Sequence, residues 1–313
     1  EIILRPYQFC NLSEVVVRAS DTQQTLTEKV RLATILGTFQ STLTNFKYLR
    51  TVWRKNTEEE RLLGVSLTGI MDNAMMSGKS TTFGMNIGAT LNALKEQAIV
   101  TNAAMAEQLG ISQSAAITCV KPSGTVSQLV DSASGIHARH NPYYIRTVRG
   151  DNKDPITQFL VSEGIPAEPD VMKPDSTTVF SFPMKSPHGA VTRFDMSAIE
   201  QLELWLLYQR HWCEHKPSVT ISVKEHEWME VGSWVYDHFD EVSGISFLPF
   251  SEHTYKQAPY QDCTEVEYKE MLNKMPKGID WTALSEFEKE DTTSGSRELA
   301  CTAGVCEIVD ISA

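Results

Sequence analysis

Cys301 and Cys306 stand five residues apart in Glu298-Leu299-Ala300-Cys301-Thr302-Ala303-Gly304-Val305-Cys306. Two thiols separated by small residues and a glycine can close a disulfide without a rigid scaffold. The polar run upstream of them, Glu286 to Ser296, predicts a mobile tether. A tethered dithiol can reach a distant disulfide and reduce it by thiol–disulfide exchange. The plainer reading is an incidental pair on a frayed end. Exposed thiols are a liability in the cytosol, which favours the redox role.

Two further segments carry chemistry. In Glu1-Ile2-Ile3-Leu4-Arg5-Pro6-Tyr7-Gln8-Phe9-Cys10 a carboxylate precedes a thiol by nine residues. Spacing alone makes these an exposed acid and a core cysteine. In Val120-Lys121-Pro122-Ser123-Gly124-Thr125-Val126 an expected strand runs into a short turn and a helix start. Free backbone N–H groups at such a turn form an anion site. The spacing is not that of a Walker A loop, and an ordinary N-cap turn explains the residues equally well.

The other cysteines are quieter. No Cys-x-x-Cys pair is present, so a structural zinc site is not expected. His211, Cys213 and His215 have a loose metal-like spacing, yet they follow Leu204-Trp205-Leu206-Leu207-Tyr208 and read better as the end of a buried helix. Cys119 and Cys213 sit in apolar company and are expected to be inert core residues.

These groups must be positioned by a globular scaffold. Hydrophobic residues make up 41% and charged residues 22% of the 313, an ordinary folded composition. The net charge of −12 argues against DNA or RNA as a partner. No apolar run approaches the length of a membrane span. The sequence opens without Met or a basic-then-apolar leader. A cytoplasmic protein is expected, either trimmed or the downstream piece of something longer.

A helix is expected after Ser20-Asp21-Thr22-Gln23-Gln24, with Leu26, Val30, Ala33, Leu36, Phe39, Leu43 and Phe46 as its apolar face. Others are expected over 91–109, ending at Gly110, from Ser197 to about Trp212 with Glu200 completing a capping box, and over 225–239. Short β-branched or aromatic runs between them, at 116–120, 178–182, 219–223 and 245–248, read as strands. Strands alternating with long helices imply an α/β fold with parallel strands, either a barrel or an open sheet. The chain divides into a catalytic portion, 1–285, and a tail, 286–313.

Taken together, the three segments resemble the large-subunit family of ribonucleotide reductases, most closely the monomeric, adenosylcobalamin-dependent ribonucleoside-triphosphate reductases. In that family an Asn-Pro-Cys-Gly-Glu motif sits on a finger loop inside a ten-stranded α/β barrel. A second cysteine, in a Cys-Asn-Leu setting, follows its Glu by nine residues. Glu1 and Cys10-Asn11-Leu12 fit those positions. Lys121-Pro122-Ser123-Gly124-Thr125 resembles the family's phosphate loop, and Cys301 with Cys306 its shuttle dithiol. Gly64-Val65-Ser66-Leu67-Thr68-Gly69, Ser134-Gly135-Ile136-His137 and Tyr143-Tyr144-Ile145-Arg146 extend the likeness over nearly the whole chain.

The resemblance implies the C-terminal half of that barrel and the reduction of ribonucleoside triphosphates by a thiyl-radical mechanism started by adenosylcobalamin. Glu1 would be the acid/base at the ribose hydroxyls and Cys10 one of two reducing thiols. Pro122, Ser123, Gly124 and Thr125 would hold the phosphates, and Cys301 and Cys306 would renew the thiols with electrons from thioredoxin. No metal ligands are expected, and the cobalamin-contacting residues are unassigned. The family's radical cysteine, its other redox cysteine and its allosteric region have no counterpart here. The chain is therefore expected to be inactive without an N-terminal half. No tyrosine follows Tyr268, so the tyrosine relay of iron-dependent relatives is not expected, and Tyr143-Tyr144 reads as structural. The alternatives are a non-catalytic half-barrel that acts as an assembly partner, and an unrelated α/β nucleotide-binding protein.

Overall fold

The computed structural model describes residues 1–79, 86–250 and 255–289. Cys301 and Cys306 lie outside the described residues. The chain forms two compact units, one of Glu1–Pro142 with Lys185–Glu252, the other of Tyr143–Met184 with His253–Ala313.

The elements run β1 (Asn11–Val16), α1 (Gln23–Gln40), α2 (Thr51–Glu60), β2 (Leu63–Thr68), α3 (Ile87–Leu109), β3 (Thr118–Cys119) and α4 (Thr125–Leu129). Then come β4 (Tyr143–Asp151), α5 (Pro155–Ser162), β5 (Ala167–Pro169) and β6 (Thr177–Lys185). The rest are α6 (Ala198–His211), β7 (Val219–Val223), α7 (Trp228–Asp237), β8 (Ile245–Pro249), β9 (Tyr260–Asp262), α8 (Glu265–Lys274) and α9 (Leu284–Phe287).

The first unit is a parallel α/β assembly, as the alternation of strands and helices requires. β1 pairs with β2 from Asn11↔Leu63 to Val16↔Thr68, and β2 pairs with β3 through Val65↔Thr118 and Ser66↔Cys119, all in parallel. β7 pairs in parallel with β8. A parallel bridge between Val120 and Pro217 brings the start of β7 alongside the end of β3. β2 is buried at all six positions, the mark of a parallel strand covered on both faces. Leu63, Val65 and Leu67 of β2 share one core with Leu26, Val30, Leu91 and Leu94 from α1 and α3, and with Trp205, Tyr208 and Trp212. Each such side chain contributes about 1.5–3 kcal/mol on burial. Among the described residues, no helix is long and apolar enough to cross a membrane.

The expected caps are present. Thr22 caps α1 in a box with Thr25, Ser197 caps α6 in a box with Glu200, and α3 ends at Gly110 with φ +63°.

The apolar face expected for α1 is corrected. Leu36 is 63% exposed, Phe39 49% and Leu43 72%, whereas Leu26, Val30, Thr34, Gly37 and Thr38 face inward. Thr34 and Thr38 bury their hydroxyls by donating to the carbonyls of Val30 and Thr34. Thr38 Oγ1 also accepts from Asn102 on α3. Small residues let α1 lie close to its neighbours, so packing distance outweighed hydrophobicity in choosing the buried face.

The second unit holds a sheet in the order β5-β6-β4-β9, with β5–β6 and β4–β9 antiparallel. The strand at 178–182, expected within a parallel sheet, is part of β6 and pairs antiparallel with β5. The Tyr143 ring packs 5.2 Å from Tyr268, and Tyr144 5.9 Å from Tyr260.

Candidate active site

Successive side chains of a strand point to opposite faces. Register therefore gathers one row of side chains on one face of the sheet: Leu12 and Glu14 from β1, Gly64 and Ser66 from β2, and Cys119 from β3. Cys10 immediately precedes β1. A Cβ placed on Gly64 would lie 3.4 Å from Cys10 Sγ and 3.1 Å from Ile2 Cδ1, so the bare backbone at 64 makes room for the thiol and for the N-terminal segment.

That segment is pinned by backbone contacts. Lys216 N–H donates to Glu1 O at 2.9 Å, and Ile3 N–H donates to His215 Nδ1 at 3.4 Å. The other ring nitrogen, Nε2, lies 2.8 Å from Leu63 O. Accepting on Nδ1 and donating from Nε2 is the pattern of a neutral imidazole. Burial accordingly holds His215 below the usual histidine range. Its ring ties Ile3 to Leu63 of the sheet, while His211 Nδ1 lies 3.3 Å from Asn92 Oδ1.

Glu1 Oε2 lies 3.6 Å from Lys121 Nζ. Burial pushes the Cys10 thiol up to about 12, against the opposing pull of the Lys121 ammonium and the Asn11 N–H. Cys119, fully buried, is raised by burial and then by negative charge at Cys10 and Glu1, with Lys121 opposing. Glu1, Cys10, Cys119 and Lys121 thus share one electrostatic neighbourhood in which both thiols stay protonated at neutral pH.

The turn at 122–125 is tied to the same face. The Ser123 hydroxyl donates to Glu14 Oε1, as does the Ser66 hydroxyl at 3.3 Å. Ser66 Oγ in turn accepts from Lys121 N–H at 2.9 Å. Gly124, at φ +46° and ψ −112°, takes a conformation open to glycine, and its N–H donates to Ser134 Oγ at 3.3 Å. Among the described residues, no hydrogen bond engages the N–H groups of Ser123 and Thr125. Pro122, Gly124 and Thr125 are exposed. The helix that follows, α4, has only five residues, so the turn's own N–H groups, more than a helix dipole, would face an anion.

The structure thus brings Glu1, Cys10 and Ser123 onto one face. The sequence reading passed over three neighbours: Glu14, Lys121 as the partner of Glu1, and Cys119 beside Cys10. The alternation Cys10, Leu12, Glu14 along an extended segment was the available signal. A carboxylate, protonated thiols, an ammonium group and an anion-ready turn suit proton transfer and thiol redox chemistry on a phosphorylated substrate.

The fold that carries these groups matches part of a known enzyme class. The structure superposes on a crystal structure of a B12-dependent, class II ribonucleotide reductase with a TM-score of 0.75 and 22% identity, over 91% of this chain and 42% of that one. No protein-family model matches the chain. In sequence it is similar to adenosylcobalamin-dependent ribonucleoside-triphosphate reductases along nearly its whole length. That of Levilactobacillus brevis is 24% identical over 98% of this chain and 44% of the relative. A probable reductase of the same kind from Dictyostelium discoideum is 28% identical over 99% of this chain and 39% of its own length. The Euglena gracilis enzyme is 29% identical over 64% of this chain and 28% of its own length. The chain spans less than half the length of the curated relatives it matches.

Proposed function

We propose that this chain is the C-terminal part of an adenosylcobalamin-dependent ribonucleotide reductase, acting on ribonucleoside triphosphates in the cytoplasm. The observation that carries this reading is the meeting of Glu1, Cys10 and the Ser123 turn on one face of a reductase-type sheet. These are the three features that the sequence resemblance pairs with acid/base, thiol and phosphate roles.

Bound adenosylcobalamin would supply the radical that starts the reaction. A half-buried carboxylate beside two thiols and a lysine suits the substrate half of that chemistry, and no described residue is assigned to the corrin. Glu1 accepts a proton from one ribose hydroxyl, with Lys121 holding its carboxylate in place. The 2′-hydroxyl leaves as water. The two electrons this requires come from Cys10 and a second thiol outside these 313 residues, which become a disulfide. Cys119 is not that partner in the native arrangement. Register sets it on β3 against Ser66 of β2, across β2 from the segment that carries Cys10, and both cysteines are free thiols.

The tail, 286–313, then reduces the disulfide by exchange. Cys301 and Cys306 become oxidised as the active-site thiols return, and thioredoxin or a similar dithiol reduces the tail. The turn at 122–125 fixes the nucleotide so that the ribose lies over the thiols.

The test is nucleotide reduction with adenosylcobalamin and a dithiol, for this chain alone and mixed with a polypeptide supplying the remaining length of the relatives. Activity in the mixture, lost in Cys10→Ser, is expected. With thioredoxin as reductant, the Cys301→Ser/Cys306→Ser variant stops after about one turnover per site. Association of the two parts without nucleotide reduction would leave a non-catalytic assembly partner and overturn the proposal.

A further inference from the structure

Glu14 points at the same turn, and its chemistry conflicts with a simple phosphate site. An ionised carboxylate only accepts hydrogen bonds, and a serine hydroxyl has one proton to give. The Ser123 hydroxyl donates that proton to Glu14 Oε1. In this state Ser123 can offer a phosphate group only lone pairs, and a second anion lies directly behind them. The Ser66 hydroxyl is also turned to Glu14, at 3.3 Å, and is itself fixed by Lys121 N–H at 2.9 Å. While Glu14 is charged, a serine that turned away would strip the carboxylate of one of its two hydroxyl donors.

A proton on Glu14 reverses the chain of donors. The carboxylic acid O–H on Oε1 donates to Ser123 Oγ, the Ser123 hydroxyl proton turns outward to the phosphate oxygen, and Ser66 keeps donating to a lone pair of the same Oε1. Each hydroxyl proton in the chain keeps an acceptor, and one proton has been taken from solvent.

We propose that Glu14 is a positioning residue for anion binding at the 122–125 turn, and that a phosphate group binds there together with one proton taken up by Glu14. The inference rests on the phosphate role of that turn and deepens it.

The surroundings agree. Burial raises the Glu14 carboxyl above its usual range, against the opposing hydrogen bonds from Ser123 and Ser66 and the charge of Lys121. Lys121 is the cation acting on it, and Glu1 shares that cation. β2 contributes only the neutral Ser66 to this face, and β3 the protonated Cys119. On α1, Lys29 is engaged by Asp21 and by Val16 O. In the segment beyond α4, Asp131 is held by Arg139. An arriving phosphate adds negative charge beside Glu14 and favours its neutral form further.

Inorganic tripolyphosphate is titrated calorimetrically into this chain across pH 5.5–8.5, in buffers of different ionisation heat. The same is done for Glu14→Gln and Ser123→Ala. The amide of the Glu14→Gln variant carries an N–H donor where the protonated acid would have its O–H, so it mimics the binding-competent state without titrating. Above the carboxyl's own titration range the wild type takes up close to one proton more than Glu14→Gln. Its affinity falls by about tenfold per pH unit relative to that variant, and the two converge at the acid end. Ser123→Ala keeps Glu14 but loses the excess uptake, because the relay is cut; it also serves if the glutamine variant folds poorly. Binding by the wild type with the same proton uptake and slope as Glu14→Gln overturns the inference and leaves the phosphate site standing. No binding by the wild type at any pH overturns both.

Discussion

Cys10 Sγ borders the space into which a side chain at position 64 would grow: a Cβ on Gly64 would stand in contact with the sulfur at 3.4 Å, would press on Ile2 Cδ1 at 3.1 Å, and would collide with Leu12 Cδ2. The thiol is thus positioned by an absence on the neighbouring strand. Gly64→Ala forces Leu12 aside and presses on Ile2, while Cys10 Sγ stays at ordinary contact distance. Overpacking of this kind costs about 1–3 kcal/mol, to be read from urea unfolding of the variant against the wild type. Once Leu12 and Ile2 shift, the packing around Cys10 loosens, and its alkylation in the folded protein accelerates. Unchanged stability and unchanged alkylation would show that Leu12 alone yields and that Gly64 does not seat the thiol.

A thiol pushed up to about 12 is a poor nucleophile at neutral pH and keeps its proton. Against an ordinary cysteine three pH units lower, its thiolate fraction is smaller by about a thousandfold. Iodoacetamide labelling of Cys10, followed by peptide mass spectrometry, is therefore expected to be slow at pH 7.5 and to rise steeply toward the alkaline end. Lys121 is the group that opposes the shift, so Lys121→Met raises the thiol further and slows labelling again. Faster labelling in Lys121→Met would show that the lysine acts as a steric cover and not through its charge.

What the sequence disclosed and what it hid follow from physics at particular positions. The caps at Thr22, Ser197 and Gly110 are local, set by a side chain and a few backbone groups, and they were legible. So was β7, in which four of five residues, Val219, Thr220, Ile221 and Val223, are β-branched. The buried face of α1 was not legible, because Thr34, Gly37 and Thr38 were selected by the approach of α3 and β2, and no single-helix periodicity records that. β1 and β2 were missed as strands, though their segments were quoted for chemistry. With β1 unassigned, the alternation that puts Cys10 and Glu14 on one face could not be used. The pairing of Glu1 with Lys121 spans 120 positions of chain, so register and nothing local brings it about. The resemblance to the reductases named Glu1, Cys10 and the turn without supplying the carboxylate behind Ser123.

The loop beyond α4 rests on a buried ion pair. Arg139 Nε and Nη2 donate to Asp72 Oδ1 and Oδ2, both at 2.8 Å, with side chains 4% and 2% exposed. Asp72 Oδ2 also accepts from Ala133 N–H at 2.9 Å. This pair fixes the segment whose Ser134 holds Gly124. Arg139→Met leaves the Asp72 carboxylate buried without its cation and is expected to cost about 3–5 kcal/mol, measured by denaturant unfolding. The double variant with Asp72→Asn should recover part of that loss, since the stranded charge is removed. Additive losses would mean that the arginine acts through packing alone.

His137 makes the support of the 122–125 turn sensitive to acid. Thr220 N–H donates to its Nε2 at 3.0 Å, and Nδ1 faces Ser134 O at 3.0 Å, so the ring must be neutral and protonated on Nδ1 to satisfy both. Burial holds His137 below the usual histidine range. Below about pH 6.5 the unfolded chain binds a proton there that the native chain does not, so stability falls as pH drops through that value toward the native pKa. His137→Gln loses part of this double tether and should be less stable at pH 7.5 by about 1 kcal/mol. Its stability should then fall less between pH 7 and pH 5.5 than that of the wild type, the remainder of the slope belonging to His215, which burial lowers in the same way. Thermal melts of the two proteins across that range decide the matter. Parallel profiles would mean that His137 charges freely in the native state, and that the contact from Thr220 N–H is not what keeps Ser134 under Gly124.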